Sequence, residues 1–319
     1  MIDIYRVFTR SATTVLANGD KQFKPYDLDI EPFSRLLFWT CSKTNVISIL
    51  RLNLTSVGVV VRGDGERPRS IAIDPINGKK QFNIWNFQYK IFYFIIFNYS
   101  FMYWINMVSP PTIEEAEFDG SRRSTLLSLN LGRPGQLTID ILEETLYWAD
   151  SRLQRIESYD LSYGKRRLLV DGDMGDPKGI AVLGEYLYWI DRKYMVLERI
   201  SKVTGKGRTN IKILINELSD IYAVQNLSLY NAVHHPCVND NGGCSHICHR
   251  SRTGSSTAIC SCPLTHRRDY SFSKQCLVRK SCKFDQFECR SGPIFCIPRV
   301  WRCDGSPECV DSSDEEGCA

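Results

Sequence analysis

Cysteine is almost missing from the front of this chain: of thirteen, only Cys41 precedes Cys237. Crosslinks therefore cannot organise the first 236 residues, which must be held by packing. The opening, Met1-Ile-Asp-Ile-Tyr-Arg6, has no basic region followed by an apolar run, which excludes a secretory signal at that point. A cysteine-rich pattern without an export signal is expected to belong to a chain that begins further upstream. One-sided charge is lacking too. The net charge of +4 is spread over 319 residues, too weak to argue for nucleic acid or a membrane surface as partner. No P-loop, glycine-rich cofactor loop or Ser/His/Asp arrangement follows a strand signal, so no catalysis is expected.

What is present is repetition. Pro134-Gly-Gln-Leu-Thr-Ile-Asp140 leads into Leu146-Tyr-Trp-Ala-Asp150, and Pro177-Lys-Gly-Ile-Ala-Val182 leads into Leu187-Tyr-Trp-Ile-Asp191. Two earlier copies run from Pro25 to Phe38-Trp-Thr-Cys41 and from Pro68 to Tyr103-Trp-Ile-Asn106. A third block follows each later aromatic pair, at Ile113-Glu114, Ile156-Glu157 and Leu197-Glu198, and apolar runs such as Val57–Val61 and Arg167–Val170 close units. Short alternating segments bounded by Gly, Pro, Asp and Asn read as strands joined by turns. Four strands in about 43 residues make one blade of a β-propeller. The expected fold is all-β: an incomplete six-bladed propeller over 1–233, followed by two small cysteine-rich modules at 234–277 and 281–318. Residues 1–24 supply the closing strands of one earlier blade, and Leu218–Val224 begin a final one.

The spacing has one flaw. The marker prolines are 43, 66 and 43 residues apart, and the proline-to-tryptophan distances are 14, 36, 14 and 12. Both anomalies place 22 extra residues in the second unit, at 80–101, rich in Phe, Ile, Tyr, Asn and Lys. Such residues have A/T-rich codons, so translated intron sequence is the expectation. A surface loop and a membrane span are the rival readings. Asn83, Asn86, Gln88, Lys90 and Asn98, and a position between two strands, weigh against the span. Cys41 stands where other units carry Asp or Asn and is expected to be a buried thiol.

The C-terminal cysteines fall into two sets of six. The first is Cys237, Cys244, Cys248, Cys260, Cys262 and Cys276, with gaps of 6, 3, 11, 1 and 13 residues. Its Cys260-Ser-Cys262 is too tight for a zinc pair. In the second set, from Cys282 to Cys318, the gaps are 6, 6, 6, 5 and 8, with six carboxylates and no Lys or Arg from Asp304 to Glu316. Carboxylates forced together repel unless a cation sits among them, and oxygen-rich sets suit calcium. All five histidines fall between His234 and His266. They are expected to be exposed; a pH-sensing cluster is the competing reading.

With Asn241-Gly-Gly-Cys-Ser-His-Ile-Cys248 before its single-residue gap, the first set resembles an EGF-like module. The resemblance implies pairs Cys237–Cys248, Cys244–Cys260 and Cys262–Cys276. It implies no metal, because Val233-His-His-Pro236 replaces the usual calcium ligands. Trp301-Arg-Cys-Asp-Gly-Ser-Pro-Glu-Cys309 and the acidic stretch after it resemble an LDL-receptor class A module. That implies pairs Cys282–Cys296, Cys289–Cys309 and Cys303–Cys318. It also implies calcium held by the carbonyls of Trp301 and Ser306 and the side chains of Asp304, Glu308, Asp314 and Glu315. Trp301, Asp304 and Glu308 would then dock a lysine-bearing protein surface. The order of modules resembles the Wnt co-receptor (Arrow-type) branch of the LDL-receptor-related family. It implies a single-pass cell-surface receptor binding Wnt ligands or secreted antagonists, attached to the membrane only through a segment outside this chain. A general endocytic or lipoprotein receptor of the same family is the alternative. Asn53-Leu-Thr55 and Asn226-Leu-Ser228 are glycan acceptor sequences.

Overall fold

Each repeat becomes one four-stranded antiparallel sheet, with its strands in chain order. The computed structural model describes residues 2–6, 11–16, 24–52, 57–63, 65–86, 91–211, 221, 223, 235–250, 257–269, 272–279, 282–289, 296–309 and 312–318. Asn53, Asn226 and most of Leu218–Val224 lie outside them. A hairpin of β1 (Ile2–Arg6) and β2 (Ser11–Leu16) comes first. Blade one is β3 (Pro25–Glu31), β4 (Leu36–Cys41), β5 (Val46–Arg51) and β6 (Val57–Val61). Blade two is β7 (Pro68–Asn86), β8 (Ile91–Asn106), β9 (Thr112–Glu117) and β10 (Ser124–Leu127). Blade three is β11 (Pro134–Asp140), β12 (Thr145–Asp150), β13 (Arg155–Asp160) and β14 (Lys165–Asp171). Blade four is β15 (Pro177–Leu183), β16 (Tyr186–Asp191), β17 (Val196–Ser201) and β18 (Thr209–Ile211).

The first strand of every blade is an edge, so half its N–H groups point away from its own sheet. Side chains from the preceding blade accept them. Asp27 Oδ2 takes Ile71 N at 3.1 Å, Asp29 Oδ2 takes Ile73 N at 2.8 Å, Ser70 Oγ takes Leu137 N at 2.8 Å, and Gln136 Oε1 takes Ile180 N at 3.0 Å. Asp27, Ser70 and Gln136 share one position, two residues after the marker proline. Between blades lie three apolar cores, and Trp104, Trp148 and Trp189 are fully buried in them.

A second repeated device surrounds those indoles. Trp104 faces Glu114, Trp148 faces Glu157 and Trp189 faces Glu198 across the second and third strands. Arg123, Arg166 and Arg208, from the fourth strand or the turn before it, lie over the three rings at 5.2, 5.3 and 5.5 Å. Each also binds the glutamate, for example Arg166 Nη2 to Glu157 Oε2 at 2.7 Å. A cation over an indole face with a partly buried carboxylate is worth more than an exposed pair. Blade one has Ser48 opposite Trp39 and lacks the cluster.

The acid after the aromatic pair holds the connector that enters its blade. Asp150 accepts N–H bonds from Gly132, Arg133, Arg152 and Leu153; Asp191 accepts them from Gly175, Asp176, Lys193 and Tyr194. Asn106 does part of this through Arg67 N at 2.8 Å. Cys41 has no such oxygen. It is 3 % exposed, takes part in none of the six disulfides, and the connector there is held by Ser42 N donating to Lys24 O at 2.9 Å.

The irregular second unit has a simple geometry. Asp74 pairs with Phe101 as Asp140 pairs with Thr145, but twenty-six residues intervene instead of four. The surplus prolongs β7 and β8 as a two-stranded ribbon, Gly78–Asn86 against Ile91–Tyr99, beyond the register shared by the other blades. The ribbon is strand, not helix, and among the described residues no helix is long and apolar enough to cross a membrane.

The EGF-like unit, β19 (Ile247–Arg250), β20 (Ala258–Ser261), β21 (His266–Arg268) and β22 (Cys276–Val278), packs against blades one and two. Ile247 enters the core between those blades, and Leu264 N donates to Val59 O at 2.7 Å. Gly58 passes so close that a Cβ there would lie 2.3 Å from Pro263 Cγ. Arg51 pairs with Asp240 at 3.0 Å. His235 stacks on Phe33 at 4.3 Å and His249 on Phe118 at 5.9 Å; each histidine is 8 % exposed. This corrects the expectation of exposed histidines, because docking covers them. His234 lies outside the described residues. Burial, then the Arg250 charge, pushes His235 down to about 4.

Two outcomes follow. Removing residues 80–101 sets Lys79 opposite Asp74 in place of Phe101 and leaves the other blade rungs as they are, so the shortened chain should still melt in one cooperative transition; loss of folding would make the ribbon part of the blade. His235 is neutral when folded and protonates near 6.5 when unfolded, so its contribution is intact above pH 6.5 and falls as pH drops toward 4. The slope is at most about 1.4 kcal/mol per pH unit. Thermal midpoints across that range should decline, and less so in His235→Phe, which keeps the stack.

Candidate functional site

The C-terminal module has little apolar core, since Ile297 and the half-buried Phe287 pack on Cys289 and Cys309. Its regular elements are β23 (Gln286–Glu288), β24 (Cys296–Pro298) and a 3₁₀ turn at Arg299–Trp301. Disulfides Cys282–Cys296, Cys289–Cys309 and Cys303–Cys318 hold it, as the resemblance implied. The EGF-like unit is likewise closed by Cys237–Cys248, Cys244–Cys260 and Cys262–Cys276. Its first two bridges form its core: Cys237, Cys244, Cys248 and Cys260 are all buried and pack together with Ala258 at their margin. So small a fold needs such staples.

Asp314 is the buried acid of the module, at 0 % exposure. Its Oδ2 accepts the N–H of Glu308 at 2.8 Å and of Cys309 at 3.2 Å, while its Oδ1 has no hydrogen-bond partner among the described residues. Burial opposes its ionisation, but the N–H bonds outweigh burial and hold it below the usual carboxylate value. Glu308 Oε2 is likewise buried without a partner, and burial plus the charges of Asp304, Asp314 and Glu315 raise Glu308. Glu315 accepts from Asp304 N and Gly305 N, each at 3.1 Å, and Asp304 Oδ1 accepts from Ser306 N at 2.9 Å. Trp301, three residues before Asp304 in the chain, is 44 % exposed. No three metal-ligating side chains converge among the described residues. Two orphaned carboxylate oxygens in an acidic, oxygen-rich loop nevertheless fit a hard cation.

On the propeller axis a cavity of about 430 Å³ is lined by Ile71, Leu137, Ile139, Ile180 and Ile221. Asp29 is the carboxylate among its lining residues, and burial pushes it up to about 7. One acid in an apolar channel offers no catalytic pair.

Sequence reading missed Arg123, Arg166 and Arg208. The signal was available: each follows its glutamate by nine or ten residues.

Propeller blades carrying an aromatic pair, with an EGF-like unit and a crosslinked acidic module attached, define the module set of the LDL-receptor class. Comparison agrees. Residues 280–318 match the low-density lipoprotein receptor domain class A, and residues 100–141 and 144–182 match the low-density lipoprotein receptor repeat class B. The first class B match begins next to the end of the supernumerary segment. Mouse low-density lipoprotein receptor-related protein 5 is 43 % identical over 92 % of the chain, and the human protein 42 % over 94 %. The human protein 5-like protein is 27 % identical over 72 % of the chain and 80 % of its own length. The chain spans 17 % of the length of the first two relatives. A solved nidogen/laminin complex shares the fold, with a TM-score of 0.55 at 20 % identity over 68 % of this chain and 73 % of that one. The chain belongs to the low-density lipoprotein receptor-related family.

Proposed function

We propose that this chain is the ligand-capturing part of a single-pass cell-surface receptor of the Wnt co-receptor branch, taking Wnt ligands or secreted antagonists at the extracellular face. The observation that carries the reading is likeness to receptor-related protein 5 across propeller, EGF-like unit and class A module together. We also infer the division 1–233, 234–277 and 281–318, with 80–101 as translated intron.

In this reading the class A module holds calcium through the carbonyls of Trp301 and Ser306 and the carboxylates of Asp304, Glu308, Asp314 and Glu315. Calcium would offset the burial that raises Glu308 and the repulsion from Asp304, Asp314 and Glu315 that adds to it. The chain's own contribution is then recognition. Trp301 presents a half-open ring beside solvent-facing carboxylate oxygens, a surface for a lysine of the ligand.

Two measurements test this. Chelation with EDTA should collapse the amide dispersion of 282–318 while the six disulfides stay closed, and added calcium should restore it. Immobilised full chain in calcium should bind a Wnt or a Dickkopf-type antagonist, and Trp301→Ala should weaken binding by about 3- to 30-fold, the equivalent of ~0.5–2 kcal/mol. Unchanged affinity would move the docking point off this module.

A further inference from the structure

The charge that looks dispersed along the sequence is sorted by the fold. In each blade, the connector before the first strand and the turn after the second meet at one end. The contact repeats: Ser42, Met107, Ser151 and Arg192 donate N–H bonds to the carbonyls of Lys24, Arg67, Arg133 and Asp176 at 2.9–3.1 Å. Because the first strands lie side by side, these four junctions share one face of the propeller. In three blades the residue before the marker proline is a cation: Lys24, Arg67 and Arg133. In three blades the second residue of the turn is also a cation: Lys43, Arg152 and Lys193. All six are exposed, and among the described residues none makes an ion pair.

Among the described residues the acids left open at this end are Asp171 and Asp173, with Asp176 half-buried, all on the connector into blade four; the recurrent acids of the junctions point the other way. Asp150 and Asp191 are fully buried, each spread over four N–H donors, and Glu114, Glu157 and Glu198 are neutralised by arginines beneath the surface. Packing keeps it so. A Cβ on Gly132 would meet Arg152 Cβ at 3.1 Å, and one on Gly175 would meet Lys193 Cβ at 2.6 Å, so each connector crosses directly over the stem of its cation. At the opposite end, exposed Glu143 and Glu185 are mixed with Arg35, Lys165 and Lys206.

We propose that this connector face binds a sulfated glycosaminoglycan chain. Cations recur blade by blade, unpaired and on open turns rather than in a pocket, which suits a linear polymer carrying repeated sulfates more than one compact anion. Six disulfides place the chain in an oxidising, extracellular setting, where such polymers are the abundant polyanions and nucleic acid is not. The inference stands apart from the Wnt reading, since it involves neither Trp301 nor the class A acids.

The test uses the full chain in calcium, with heparin as probe. The wild type should bind heparin with affinity that falls linearly in log–log form as salt rises, and should ignore fully desulfated heparin. The triple variant Lys43→Glu, Arg152→Glu, Lys193→Glu should bind at least tenfold more weakly at physiological salt, with a salt slope smaller by about three. Its melting midpoint should not move, because those side chains are exposed. The control Arg35→Glu, Lys165→Glu, Lys206→Glu makes the same charge change on the other face and should bind as wild type. Equal loss in both triples, full retention in the first, or equal binding of desulfated heparin would each overturn the proposal.

Discussion

An inner edge strand with unpaired N–H groups is the difficulty that every blade of this protein must solve. Near the propeller axis those strands line a cavity walled mostly by apolar side chains, and a buried unpaired donor costs about 1–3 kcal/mol. The solution is the same at each joint: a short acceptor two residues past the marker proline reaches the next blade. Asp27 and Gln136 differ in length and charge yet do one job, and Ser70 both donates to Asp27 and accepts from Leu137. Blade neighbours are thus joined by hydrogen bonds at the axis and by apolar cores further out. The EGF-like unit adds a brace across the first joint through Ile247.

The outward end of each blade follows from a second constraint, the need to hold connectors that have no strand partners. Buried Asp150 and Asp191 take the N–H groups, and Arg166 takes the carbonyls of Leu129 and Asn130 from the other side. Carboxylates are drawn inward by this work while Arg152 and Lys193 remain outside. The basic face is a by-product of how connectors are pinned, and the acidic class A module is its electrostatic opposite in the same chain.

Strand order and blade boundaries were legible because tryptophan recurs at a fixed place, and the ribbon was legible as a break in that rhythm. Other features were not. The arginine clusters depend on pairing across a turn whose length varies, so Arg208 is one residue out of step with Arg123 and Arg166. His235 and His249 read as exposed because a lone module would leave them so; Phe33 and Phe118 cover them only after docking. Charge segregation was invisible for a similar reason. Lys43 and Glu143 are both turn residues in the sequence, and only the direction of the strands sends them to opposite faces. In the class A module, composition marks the acidic loop, while the two orphaned oxygens of Asp314 and Glu308 exist only in the folded structure.

The account rests on a packed, thiol-bearing propeller carrying two crosslinked modules. Disulfide mapping by mass spectrometry on natively alkylated protein, secreted behind a heterologous signal peptide, examines that directly. The account predicts six closed pairs: Cys237–Cys248, Cys244–Cys260, Cys262–Cys276, Cys282–Cys296, Cys289–Cys309 and Cys303–Cys318. Cys41 should be labelled only after denaturation. Native labelling of the C-terminal cysteines, or a crosslink that includes Cys41, would contradict it.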